Sequence, residues 1–386
     1  MIKTLSPNSM ISSVFLAFLS TAGFFYINIM PALISGLEDG LGYSNQQAGA
    51  VGSANMYGAA CGALLVIFLV RRIRWRPVAC ALLLALIGMD LLSMQVSQPT
   101  TLAVTRAVHG LVGGSLVGIS FSIIARTAVP SRTFGVLLFV QFGLGGLGVM
   151  FLPGLVPTYG TQVLFWSLIA FSGVTLCMLP FLPDYPPTQA PNPALVAPRG
   201  GLSRPAWLAL IAVFTFQAAN MGLYAFIIPL ARHYGLVGDF ITNTLGISAW
   251  IGLAGAGLVV LMALRFGNFL PLIIGSLLTV LATAALLLSD QPVVFFTANA
   301  VIGVTWAFVI SYLLGLAAQF DSNGQLAAMS GFASKMGLAS GPALFALILG
   351  ADNFALIICV AVLILVLCTL AMWYPARLKD TELQDR

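Results

Sequence analysis

Apolar runs of about 20 residues recur from one end of this sequence to the other, and no other feature narrows the possible folds so sharply. An α-helix rises about 1.5 Å per residue, so each run matches the ~30 Å hydrocarbon core of a bilayer. Inside hydrocarbon every backbone amide and carbonyl must be paired within the protein, which makes such runs helices. Breaking the sequence at Gly, Pro and polar clusters gives twelve spans: 11–34, 45–70, 77–97, 101–125, 134–156, 162–182, 206–230, 241–264, 268–288, 292–317, 325–349 and 354–374. The residues are 60% hydrophobic and only 7% charged, with a mean hydropathy of +1.03. The expectation is an all-α polytopic membrane protein with a lipid bilayer as its surroundings.

The basic residues set the orientation. With the N-terminus in the cytoplasm, thirteen of the 16 (Lys3, Arg71, Arg72, Arg74, Arg76, Arg126, Arg132, Arg199, Arg204, Arg265, Arg377, Lys379 and Arg386) fall in cytoplasmic segments or at their edges. Only Arg232 falls outside. This positive-inside bias puts both termini in the cytoplasm and accounts for the net +5 without invoking nucleic acid. The Arg-rich run Arg71–Arg76 then reads as a cytoplasmic anchor. The first span follows Lys3 but is too long for a signal-peptide core and lacks a small-x-small cleavage site, so it is expected to be retained.

Soluble chemistry has little to work with. The five cysteines (Cys61, Cys80, Cys177, Cys359, Cys368) all fall in spans without C-x-x-C spacing, which predicts neither disulfide nor metal site. With two histidines, no nucleophile elbow and no phosphate loop, the sequence points away from an enzyme and calls for no cofactor.

The sequence repeats itself. Ser97–Gly110 matches Ser289–Gly303 with one residue inserted, placing Gln98-Pro99 on Gln291-Pro292, Ala107-Val108 on Ala300-Val301 and Gly110 on Gly303. Span one aligns with span seven, Tyr26 on Tyr224 and Pro31 on Pro229. Between the halves, the Pro-rich stretch Asp184–Pro205 reads as a flexible linker. The expected organisation is a six-helix bundle over 1–183, a cytoplasmic linker over 184–205, a second six-helix bundle over 206–375 and a cytoplasmic tail over 376–386. Parallel repeats of this kind are related by a pseudo-twofold axis along the membrane normal, with substrate bound between them near the midplane.

Six plus six spans, a long middle linker, a basic run after span two and Arg106-x-x-His109-Gly110 in span four resemble the major facilitator superfamily over essentially the whole sequence. The span-four motif of that family is Arg-x-x-Gln-Gly, with His109 here in place of Gln. The loop after span two keeps the family's arginines but has Val70 about where an Asp belongs, and span five has Gly148-Val149 where proton-coupled drug antiporters carry Gly-Pro. The resemblance implies alternating access, with spans two against eleven and five against eight forming the contacts between halves. Glycines cluster on those spans: Gly58 and Gly62; Gly143, Gly145, Gly146 and Gly148; Gly252, Gly255 and Gly257; Gly337 and Gly341. Small residues let membrane helices approach backbone to backbone, so these are expected to serve either as moving seams or as static packing.

Rise per residue places the polar side chains in depth. Asp90 in span three and Arg106 in span four both come out about 20–22 Å from the cytoplasmic end, which predicts an internal ion pair. Lys335 in span eleven lies at ~15 Å, too deep for its ~6 Å side chain to snorkel readily, and only Asp90 among the carboxylates shares its depth. Its expected partner is a water-filled cavity or an anion; a structural lysine bonded to helix carbonyls is the other reading. The repeat places Gln141 on Lys335 and Arg106 on Asn299. The expected substrate-binding ring is Tyr26, Asn28, Arg106, His109 and Gln141 from the first half with Gln217, Asn220, Tyr224, Asn299 and Lys335 from the second. Trp250, Trp306 and Phe308 are candidate aromatic walls. Asp90 and His109 are the candidate proton-coupling residues, His109 having the only membrane-depth side chain that ordinarily titrates near neutrality.

Two cations against one acid favour a secondary transporter, a symporter, for a small organic anion, with the proton as coupling ion. A proton-coupled exporter of drugs or metabolites is the alternative, and a non-transporting sensor on the same scaffold a third reading. The expected setting is a bacterial inner membrane, with the protein working as a monomer.

Overall fold

The computed structural model describes residues 4–7, 9–69, 73–127, 130–185, 203–262, 265–320, 325–350 and 352–384. Among these the regular structure is helical throughout, and twelve helices are long and apolar enough to cross a membrane. The chain divides into two compact units, Met1–Gln189 and Ala190–Arg386. Most of the expected linker (186–202), the basic residues Lys3, Arg71, Arg72, Arg199 and Arg386, and Val70 lie outside the described residues.

The first unit comprises α1 (Met10–Asn28), α2 (Met30–Leu41), α3 (Asn45–Leu69), α4 (Trp75–Ser93), α5 (Pro99–Ile124), α6 (Pro130–Tyr159) and α7 (Gln162–Met178). Its centre is α5, which packs against α1, α3 and α4. The α3–α5 contact is the most extensive in the protein because glycines remove the side chains that would hold the backbones apart. A β-carbon on Gly58 would overlap the carbonyl of Ala107, one on Gly62 the carbonyl of Leu111, and one on Gly110 the carbonyl of Asn55. Between α2 and α3, Tyr43 donates its hydroxyl to the carbonyl of Ser97 at 2.8 Å. Burial pushes that phenol above its ordinary range, so it stays protonated and donating.

The second unit comprises α8 (Arg204–Ala225), α9 (Ile227–His233), α10 (Gly238–Met262), α11 (Phe269–Ala285), α12 (Pro292–Ala318), α13 (Gln325–Leu349) and α14 (Phe354–Gln384). It is built on two tight pairs, α8 with α13 and α10 with α12. Gly337 and Gly341 sit on the carbonyls of Phe214 and Ala218, and Gly255 on that of Val304. Gly58, Gly62, Gly255, Gly337 and Gly341, counted above among glycines at the contacts between halves, thus close pairs of helices inside a single half.

Spans one and seven are not the single helices expected over 11–34 and 206–230. The first breaks at Ile29 (φ −105°, ψ 18°) and runs on to Leu41; the second breaks at Phe226 (φ −104°, ψ 15°) and runs on to His233. Both breaks have one cause. Pro31 and Pro229 lack an amide hydrogen and collide with the carbonyl four residues back, so the backbone leaves the helical region between the two points. The break falls two residues before Pro31 and three before Pro229. Relative to the breaks, therefore, Tyr26 stands opposite Leu223, one place from the Tyr224 that side-chain matching selects.

The last helix continues through Pro375 to Gln384, into the segment expected as a tail. Asp380 accepts from the backbone amides of Asn268 (2.7 Å) and Phe269 (2.9 Å) at the start of α11, and from the Asn268 side chain (3.1 Å). The Arg377 guanidinium lies 4.7 Å from the ring of Phe269 and 4.9 Å from that of Trp373. Four orphan amides open every helix, and here another helix's carboxylate takes two of them.

Candidate functional site

The depth count set Asp90 and Arg106 level, and in the first unit they are bonded. Arg106 Nη1 donates to Asp90 Oδ1 at 2.8 Å with both side chains fully buried. Arg106 Nη2 donates to the carbonyl of Met89 (3.1 Å) and to Ser93 Oγ (2.5 Å). Ser93 lies one helical turn from both Asp90 and Met89 on α4, Met89 taking part through its backbone carbonyl, and Arg106 reaches them from α5. The guanidinium also lies 5.7 Å from the ring of Tyr26 and 5.1 Å from that of Phe165. Aromatic faces therefore flank the charge that the carboxylate neutralises.

His109, one turn along α5 from Arg106, directs Nε2 at Asp90 Oδ1 across 3.4 Å. Its Nδ1 lies 2.8 Å from Asn55 Nδ2, and the same Asn55 nitrogen donates to the carbonyl of Arg106 at 3.0 Å. Asp90 Oδ2 and Arg106 Nε are buried with no hydrogen-bond partner among the described residues. Sequence reasoning named Tyr26, Asp90, Arg106 and His109 of this group. It missed Asn55, Ser93 and Phe165, although Asn55 is a polar residue inside an apolar span and as such carried a signal.

None of this cluster's hydrogen bonds involves Asn28 or Gln141. Asn28 ends α1 beside the break, against Gly145 of α6, with its Nδ2 buried and without a hydrogen-bond partner among the described residues. Gln141 is half-buried on α6.

In the second unit the expected residues fall in two places. Trp306 Nε1 donates to Gln217 Oε1 at 2.7 Å, and Gln217 Nε2 donates to Ser334 Oγ at 2.8 Å, a chain crossing from α12 through α8 to α13. Lys335, half-buried in the middle of α13, follows Ser334 directly. Asn220, Tyr224 and Asn299 instead line a small cavity of about 20 Å³ together with Thr283, Leu286 and Ile302. That is room for about one water. Asn220 and Asn299 each donate to the carbonyl one turn back, those of Phe216 and Phe295, at 2.8 Å, which leaves their amide oxygens as acceptors. Of the candidate aromatic walls, Phe308 is buried with its ring 4.9 Å from Tyr312, and Trp250 is exposed. Among the described residues no cluster of His, Cys, Asp and Glu has the arrangement to hold a metal ion.

The family model of the Major Facilitator Superfamily matches residues 13–346. The chain belongs to that superfamily. As a member of it, this is an integral membrane protein and a secondary transporter in class, not an enzyme. Solved superfamily folds agree over nearly their whole length. Two crystal structures of the nucleoside transporter NupG, one of them a mutant, give TM-scores of 0.76 and 0.75 at 13% and 14% identity, each covering 94% of this chain and 98% of the other. A bacterial homolog of the human lysosomal transporter Spinster gives 0.71 at 13% identity, covering 97% and 98%. At such identities the likeness is one of fold. No curated protein matches by sequence.

Proposed function

We propose that this superfamily member is a proton-coupled secondary transporter of a small organic anion. The observation that carries the reading is the division of charge. In the first half the membrane-depth cation Arg106 is committed to Asp90, Ser93 and a backbone carbonyl, and is fully buried. In the second half a lysine stands at mid-span of α13. An ammonium at this depth suits an anion, and a charge there is costly enough to be kept for a purpose. The Asp90–Arg106–His109 group supports the proton part of the reading, since a buried carboxylate with one unpaired oxygen can take up and release a proton. Arg106 enters this proposal as part of the coupling group; Tyr26, Asn28, Gln141, Gln217, Asn220, Tyr224 and Asn299 remain the candidate polar lining.

A thermal-shift screen of purified protein against organic acids, amines, nucleosides and sugars tests it, because a ligand of the folded state raises apparent stability by mass action. The expected hits are acids. For such an acid, Lys335→Met should weaken binding at least about tenfold, near 1.4 kcal/mol, with Lys335→Arg losing less. Unchanged affinity in Lys335→Met, or hits confined to amines or neutral compounds, would overturn the anion reading and favour the exporter.

A further inference from the structure

We infer that Asn55 fixes His109 as a neutral hydrogen-bond donor to Asp90, so that Asp90 alone is the proton-binding group of the first half. The inference rests on the proton-coupled reading and assigns the roles within it. The carbonyl of Arg106 can only accept. The Asn55 atom 3.0 Å from it must then be the amide nitrogen, because the flipped amide would set two oxygens against each other. That nitrogen has a second hydrogen, and the atom in its path is His109 Nδ1 at 2.8 Å. Nδ1 must therefore accept. An imidazole that accepts at Nδ1 carries its hydrogen on Nε2, the atom that faces Asp90 Oδ1.

Both ring nitrogens are thus in use, and a second proton on His109 would have to displace the Asn55 donor from a buried site. Asp90 differs. Its Oδ1 receives Arg106 and His109 while Oδ2 is buried without a partner among the described residues, so a proton can add there without breaking any hydrogen bond. The groups facing the imidazole are Tyr26 of α1, Asn55 of α3, Asp90 of α4 and Arg106 of its own helix. Arg106 and Asp90 cancel as the cluster stands. Taking one proton from water onto Asp90 Oδ2 makes it singly positive, and no other bond changes.

The chain has two histidines, so ¹⁵N-histidine labelling with a His233→Gln variant for assignment isolates His109. In wild type near neutral pH the expected signature is a neutral ring with hydrogen on Nε2 and an accepting Nδ1. Asn55→Leu should release the tautomer into a mixture, and Asn55→Asp, which faces Nδ1 with an acceptor, should put a hydrogen on Nδ1. On acidification the infrared difference between wild type and Asp90→Asn should contain a protonated-carboxyl band, the ten other Asp and Glu residues cancelling, and the same band should persist in His109→Gln. A wild-type ring with hydrogen on Nδ1, a spectrum unchanged by Asn55→Leu, or a difference without a carboxyl band would overturn the inference. These spectra need no substrate, so they stand or fall separately from the binding screen.

Discussion

Counted from the proline that opens the fourth span of each half, Pro99 or Pro292, Arg106 and His109 occupy the same places as Asn299 and Ile302. In the first half, with Asp90 and Ser93 of the preceding span, they form an ion cluster filled by its own side chains. In the second half, with Thr283 and Leu286 of the preceding span, their counterparts line a cavity. One duplicated frame therefore accommodates a buried charge pair in one half and small neutral side chains around a void in the other. Folding alone does not demand the charges, since the second half closes without them. A buried ion pair seldom stabilises more than an apolar replacement of its own volume, so its presence in one half only points to use.

The starts of α4 and α11 show a second contrast. The start of α11 is capped by Asp380 through two backbone amides and a side chain. The start of α4 is met by Asp184, which lies beyond the last helix of its half where Asp380 lies within its own, and the contact is through the Trp75 indole at 3.3 Å, with Arg76 reaching the carbonyl of Leu182. The device is shared and its strength is not.

The largest expected effect is at the charge pair. Asp90→Asn or Arg106→Gln strands a buried partner and should cost about 3–5 kcal/mol in thermal or denaturant unfolding of purified protein, while the double change costs clearly less than the sum. Asn299→Leu, at the counterpart of Arg106, should cost less than about 1.5 kcal/mol because only a bond to its own helix is lost. Equal losses in the two halves would erase the contrast. At the glycine contacts the halves should behave alike: Gly58→Ala and Gly255→Ala each drive a methyl group into a neighbouring carbonyl and should cost about 1–3 kcal/mol. Gly257→Ala, with nothing within 4 Å of a β-carbon, should be neutral or stabilising by up to about 1 kcal/mol. The smallest effect separates the caps. Asp380→Ala should lower stability by about 0.5–2 kcal/mol and Asp184→Ala by no more than about 0.5. A reversed order would show that the α4 end is the tighter one.

Hydrocarbon imposes its demands through composition and length, and for that reason the twelve spans and the Asp90–Arg106 pairing could be read from the sequence. Rise per residue fixes depth and says little about azimuth. Tyr26 and His109 could thus be placed near the pair, whereas Asn55, on a different helix, becomes part of it only once α3 lies against α5. The glycines mislead for the same reason. Spacing marks Gly58, Gly62, Gly337 and Gly341 as close-approach positions without saying which neighbour approaches. The helix breaks were announced by Pro31 and Pro229, but an apolar run reads the same on both sides of a kink, and the one-residue offset between the two breaks leaves no trace in composition.

The cap on α11 also sets a timetable for synthesis. Asn268 and Asp380 are 112 positions apart, so the amides at the start of α11 leave the ribosome well before the carboxylate that will cover them. At about 5–20 residues per second the wait is on the order of ten seconds. Until then the α10–α11 turn is held by the reciprocal amide pair of Asn268 with Gln319, itself 51 positions downstream. The second half is thus clasped in stages, first by α12 and last by the end of α14. A nascent chain stalled between those two points would still lack all or part of α13 and α14 and would leave the start of α11 without its carboxylate.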